Sequence, residues 1–99
     1  MSVMLDMETI KQFSTEIAKA NFGPENVVRV ESEPTVDSQG KEALDILIVI
    51  APGVADAFTG DDVLGTLVQI NDRLLEAGDE RLPIIGYATE EELADVDSP

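Results

Sequence analysis

The stretch from Glu42 to Pro52, EALDILIVIAP, places a single carboxylate, Asp45, at the head of an apolar run. From Ile46 to Ile50 both the even and the odd positions are apolar, so a strand over these residues would have apolar side chains on both faces. A strand of this kind is typical of the centre of a sheet that is covered on both sides. We therefore predict a central strand, with Asp45 at its entrance.

A second strand is predicted immediately before it, over residues 27–36, VVRVESEPTV. Its positions alternate, with one face apolar and the other wet: Val28, Val30 and Val36 on the first, and Arg29, Glu31, Glu33 and Thr35 on the second. Pro34 belongs on a sheet edge or at a bulge, because it has no N–H to donate to a ladder. Residues 37–40, DSQG, have turn chemistry, so the two strands form an antiparallel hairpin.

Two long helices are predicted from apolar residues at helical spacing. The first runs from about residue 7 to residue 21, with Asp6 as N-cap and Gly23-Pro24 as its stop; its core stripe is Met7, Ile10, Phe13, Ile17 and Ala20. The second runs from about residue 61 to residue 77, capped at Thr59 or Gly60; its buried stripe is Val63, Leu67, Ile70, Leu74 and Ala77, flanked by Leu64 and Leu75. A third strand over residues 82–88 follows, and a capping box of Thr89 and Glu92 starts a short final helix.

This order predicts an α+β fold, a two-layer sandwich with elements α-β-β-α-β and a short final α. A strand joined to a later strand through a helix gives a parallel pair, so the sheet is expected to be three-stranded and mixed. The second strand would be central and the two long helices would cover one face. The 99 residues suit a single domain, 1–99, whose residues 96–99 are expected to form a frayed acidic tail.

Composition narrows the function classes. The chain has 21 acidic against 6 basic residues, a net charge of −15, and such a surface repels nucleic acid and anionic lipid. It has no histidine and no cysteine, which removes the usual zinc ligands and the Ser-His-Asp and Cys-His catalytic arrangements. The longest apolar run is far shorter than the ~20 residues of a membrane span. We expect a soluble, cytoplasmic protein that contacts neither nucleic acid nor membrane and carries no cofactor.

The sheet face away from the helices is the first candidate site. We expect Leu47 and Val49 there, with Ile85 or Tyr87, beside the acids of the first strand. Three strands do not easily leave such a patch in water. It predicts an interface with a second copy or another protein, apolar in the middle and acidic at the rim. In the alternative, the N-terminal helix or the C-terminal tail folds over this face.

The second candidate is a cation site. Glu31 and Glu33 share a strand face, and a hairpin register that sets Asp45 opposite Glu33 would bring three carboxylates together, ligands suited to calcium or magnesium. In another register these are solvated surface acids. Two-metal catalysis needs a second carboxylate on the same face as Asp45, and the positions two before and two after it are Ala43 and Leu47.

The sequence favours a small acidic interaction or regulatory protein without enzymatic activity. It would self-associate or bind a basic protein, as an antitoxin-like inhibitor or an accessory subunit. The alternative is a divalent-metal-binding protein or enzyme that uses carboxylates alone.

Overall fold

The computed structural model describes residues 4–54 and 58–97. Its elements are helix α1 (Met7–Phe22), strand β1 (Val27–Val36), strand β2 (Glu42–Ile50), helix α2 (Gly60–Glu76), strand β3 (Leu82–Thr89) and helix α3 (Glu90–Asp97). A short 3-10 turn, Pro24–Asn26, joins α1 to β1. The predicted α+β class and element order are confirmed.

The sheet has the order β1-β2-β3, so β2 is central as predicted. β1 pairs with β2 antiparallel, and β2 pairs with β3 parallel. The hairpin closes through Asp37, whose Oδ1 accepts hydrogen bonds from the amides of Gln39 and Lys41, and Gly40 takes the positive φ of 79° that the turn requires. The two long helices lie on one face of this mixed sheet.

Side-chain caps fix where the helices begin. Asp6 Oδ1 accepts a hydrogen bond from the amide of Thr9 at 2.8 Å, as the sequence predicts for the N-cap of α1. Thr59 caps α2 in a reciprocal box with Asp62. The predicted capping box of Thr89 and Glu92 is also present, with distances of 2.9 and 3.1 Å.

The core lies between the two long helices and the sheet. Thirteen buried apolar residues form it: Ile10, Phe13, Ile17, Ala18, Phe22, Val27, Val30, Leu44, Ile46, Ile48, Ile50, Ile70 and Leu74. Three residues of the predicted apolar faces of α1 and β1 are exposed: Ala20, Val28 and Val36. Val28 is exposed because the β1–β2 register shifts between Val27 and Arg29 and turns Val27 inward in place of Val28.

Helix α2 departs most from its predicted burial. Ile70 and Leu74 are buried, with Thr66, but Leu67 is only half-buried and Val63 and Ala77 are exposed. The flanking Leu64 and Leu75 are exposed as well. The apolar stripe of α2 is therefore wider than the surface that the core covers.

A buried ion pair fixes the start of β3 to the N-terminal segment. Asp79 is fully buried, and its Oδ2 lies 2.6 Å from Nη2 of Arg81. Asp79 Oδ2 also accepts a hydrogen bond from the Leu5 amide at 3.0 Å, and Arg81 Nη2 donates one to the Leu5 carbonyl at 2.9 Å. Burial alone would raise the pKa of Asp79, but the hydrogen bonds from Arg81 and from the Leu5 amide outweigh it and hold that pKa below its usual value.

Several expectations concern the chain ends. The backbone of α3 continues through Asp97, two residues into the predicted tail, while residues 98 and 99 lie outside the described residues, as do 1–3 and 55–57. Among the described helices, none is both long and apolar enough to cross a membrane.

Candidate interaction surface

The register divides the residues predicted for the interface between the two faces of the sheet. Leu47 pairs with Glu31 and Val49 with Arg29, so both lie on the outer face, away from the long helices, as expected. Ile85 pairs with Ile46 and Tyr87 with Ile48, two core residues, so they point toward the helices. The prediction that Ile85 or Tyr87 joins Leu47 on the outer face is wrong.

The outer face is buried at one end. Val49 is fully buried there, and α3 begins directly after the last residue of β3. Arg29 holds this end by contacting Glu90, in the first turn of α3, and Glu31, at 3.2 Å from Nε to Oε2. Val49 is therefore inaccessible on this face, whereas Leu47 remains half-buried.

A separate apolar groove lies between α2 and β3 on the helix side of the sheet. It has a volume of about 390 Å³, and none of the described residues that line it is charged: Gly60, Val63, Leu64, Leu67, Pro83, Ile85 and Tyr87. Ile85 and Tyr87 pack against the core, but each remains partly exposed to solvent.

Aromatic rings support the floor of the groove. The Tyr87 ring meets Phe22 edge to face, with centroids 5.7 Å apart, and Phe22 in turn packs on Phe58 at 4.4 Å. Burial raises the pKa of the Tyr87 phenol. The floor of the groove is thus a set of packed aromatic rings.

Exposed aliphatic side chains continue the groove outward. Leu64, Val68 and Leu75 lie on one side of α2, because they are spaced by four and seven residues. Leu82 and Ile84 lie along β3 on the other face of the sheet and are 56% and 42% exposed. We call the groove and these five residues the α2–β3 surface.

This surface follows a strand edge that is open to pairing. β3 pairs with β2 along one side, and in the described part of the chain nothing pairs with its other side. An unpaired edge presents backbone donors and acceptors to any strand that reaches it. The α2–β3 surface thus combines apolar area with an open edge.

The charges around the α2–β3 surface are acidic. Asp61 lies three residues before Leu64, and Asp72 lies four residues after Val68, so both neighbour the exposed stripe of α2. Arg81, at the start of β3, is turned inward to Asp79. The surface is apolar at its centre and acidic at its rim.

The three acids of the candidate cation site share the outer face. Glu33 lies directly opposite Asp45, as the cation hypothesis requires, and Glu31 follows on the same strand face. All three line a shallow cavity of about 290 Å³ together with Leu47 and Gly86. Among the described residues, however, no three acids are grouped closely enough to hold a metal ion. The cation site therefore stays a prediction.

Sequence reasoning missed two features of this region. The pairing of Asp79 with Arg81 has no sequence signal, since GDERL resembles an ordinary polar loop. The exposure of Leu64 and Leu75 could have been suspected, because the apolar stripe of α2 is wider than a single core-facing stripe. Comparison of the chain with protein-family models, with curated proteins and with solved structures finds no match.

Proposed function

We propose that this protein is a non-enzymatic interaction module that binds another protein chain through the α2–β3 surface, as a regulatory or accessory subunit. The observation that carries the proposal is the exposed stripe of α2 beside the open edge of β3. Leu64 is 59% exposed at its centre. Monomeric proteins seldom leave a contiguous apolar surface of this kind next to an unpaired strand without a use for it.

The chemistry of the chain also favours binding over catalysis. The sequence has no histidine and no cysteine, and Asp45 has no second carboxylate on its own strand face. Tyr87 is the single residue with an ionisable side chain among the described residues that line the α2–β3 groove. An apolar groove with a polar rim has the anatomy of a protein interface. We propose the cytoplasm as its compartment, since a chain without cysteine is compatible with reducing conditions.

Site-specific photo-crosslinking in the native cells tests this function. A benzophenone amino acid replaces Leu64 in one variant and Val36 in a matched control, because Val36 is equally exposed, at 62%, but lies at the far end of β1. We expect a discrete protein adduct from position 64 and none from position 36. The crosslinked chain is identified by its mass, purified, and tested for binding to wild type and to Leu64→Lys.

Three results would count against the interaction function. Equal adducts from both positions would mean that contact is non-specific, and the absence of any adduct from position 64 would leave the α2–β3 surface without an occupant. A purified adduct partner that binds Leu64→Lys as tightly as wild type would also remove this surface from the interaction.

The second candidate function is binding of a divalent cation. The direct pairing of Glu33 with Asp45 favours it, because like charges opposite each other in a sheet are unfavourable unless something neutralises them. Melting temperatures with and without calcium or magnesium at about 1 mM test it. A rise of several degrees that is lost in Asp45→Asn would support the cation function, and identical curves would exclude it at that concentration.

A further inference from the structure

The open edge of β3 suits a partner that brings a strand of its own. Backbone pairing along an exposed edge gives affinity without side-chain specificity, and the side chains on the two faces then select the partner. Leu82 and Ile84 are exposed on one face of β3, and the α2–β3 groove runs along the other. A partner at this edge therefore meets apolar surface on both sides of the sheet.

A twofold interface requires a surface that complements itself. In the part of the chain that the structure describes, the lining of the groove has no acid and no base, so a second groove placed against it brings no like charges from these residues to the centre. Two copies of β3 related by a twofold axis run antiparallel, which is the geometry of sheet extension. The exposed stripes of the two α2 helices would then lie side by side above the joined sheet.

The amount of exposed apolar surface is also sufficient for a dimer interface. Val63, Leu64, Val68, Leu75, Leu82 and Ile84 are each between 39% and 59% exposed. Six aliphatic side chains in this state present on the order of 500 Å² of apolar surface, roughly the apolar share of a standard interface of ~800 Å² per partner.

We infer that the α2–β3 surface is occupied by a second copy of this chain, joined edge to edge through β3 into a continuous six-stranded sheet. This inference rests on the proposed interaction function and names its partner. The competing occupant is a basic protein, which would match the acidic rim but would find no acid in the groove itself.

The effect of salt on binding affinity has opposite signs for these two occupants. Two copies carry −15 each, so their acidic rims repel, and screening by salt tightens the dimer. A basic partner is attracted to the same rim, and salt weakens its binding.

Sedimentation equilibrium of the purified full chain, at about 20 mM and about 0.5 M sodium chloride, is the test. We expect a monomer–dimer equilibrium whose dissociation constant is lower at high salt. Leu64→Lys and, separately, Ile84→Lys should raise that constant by about tenfold or more, because each places a charge in the centre of the interface. Val36→Lys should leave it unchanged. All three substitutions make the chain less negative, so weaker association cannot result from added overall repulsion. Circular dichroism confirms that each variant is folded.

Three outcomes would overturn the inference. The first is a monomer at both salt concentrations up to about 1 mM protein; if position 64 still crosslinks to a different protein, the interaction function survives with another partner. The second is a dimer that both lysine variants leave intact. The third is a dimer that is lost in Leu47→Glu but kept in Leu64→Lys, which would place the interface on the outer face.

Discussion

The two edge strands of the sheet carry opposite chemistry on the same outer face. β1 presents Arg29, Glu31 and Glu33 there. β3 presents Leu82 and Ile84, both exposed. Each edge strand contains one proline, Pro34 in β1 and Pro83 in β3, so the difference lies in charge. Charges on an edge strand oppose pairing with other chains, whereas exposed aliphatic residues permit it. The sheet is therefore protected by charge at β1 and carries no such protection at β3.

Each edge strand has an arginine near its start, and the two arginines differ in their exposure to solvent. Arg29 and its partners Glu31 and Glu90 are exposed to solvent. Arg81 has a side chain that is only 9% exposed, and its partner Asp79 is fully buried. The chain has a net charge of −15, yet no residue from Leu82 to Thr89 is charged. The excess of acidic residues therefore does not extend to the apolar centre of the α2–β3 surface.

The largest effect is expected from removing the buried pair at the start of β3. Asp79→Ala leaves Arg81 without its carboxylate and the Leu5 amide without its acceptor. Breaking one partner of a buried pair costs about 3–5 kcal/mol in the free energy of unfolding. Urea titration followed by circular dichroism measures this change. A loss below about 1 kcal/mol would show that Arg81 reaches solvent and that the pair contributes little.

The contribution of the same pair should also appear in the pH dependence of the free energy of unfolding. The pKa of Asp79 is lower in the folded state than its usual value of 3.8. Its ionised form therefore stabilises the fold above the unfolded pKa, and this contribution is lost as the pH falls through the folded pKa. Unfolding free energies measured between about pH 5 and pH 2 should fall more steeply for wild type than for Asp79→Asn. The Asp6 pKa is also lowered, so both proteins should keep some slope. Equal slopes would remove Asp79 from the acid response.

The strands could be predicted because local rules fix them. Alternation sets the bounds of β1, and the double-sided apolar run makes β2 central. The hairpin itself followed from the turn residues, but its register stayed open in the sequence, and only the structure sets Glu33 opposite Asp45. The exposed Val28 was missed because a bulge leaves no trace in a simple alternation.

The candidate surface could not be predicted in the same way, because non-local contacts decide it. No turn links β2 to β3, so the sequence did not specify the register that points Ile85 and Tyr87 toward the helices. The width of the apolar stripe on α2 was readable, but which part of it the core leaves exposed depends on where β3 lies. The contact of Asp79 with Leu5 joins residues 74 positions apart.

A moderate gain in stability is expected from reversing one charge on the protected edge. Glu33→Lys replaces a pair of like charges with a pair of opposite charges, because Asp45 lies on β2 directly opposite position 33. Cross-strand charge pairs contribute roughly 0.2–1 kcal/mol, so the free energy of unfolding should rise by about that amount at low salt. Glu33→Gln is the matched control, since it removes the repulsion without adding attraction. Both gains should shrink at about 0.5 M salt, and a gain that ignores salt would have another origin.

The smallest effect is expected from Arg29→Ala, the counterpart of the Asp79 substitution at the other edge. The Arg29 guanidinium bridges Glu31 and Glu90, but all three side chains are well exposed, and solvent screens such pairs strongly. Its melting temperature should stay within about 2 °C of wild type, because little apolar area is uncovered. If Arg29 also holds the start of α3 over Val49, hydrogen exchange at the Val49 amide should rise although the melting temperature does not. A large drop in melting temperature would instead mean that the charged edge of β1 stabilises the fold as much as the buried pair at β3 does. The two edges would then differ only in their tendency to associate.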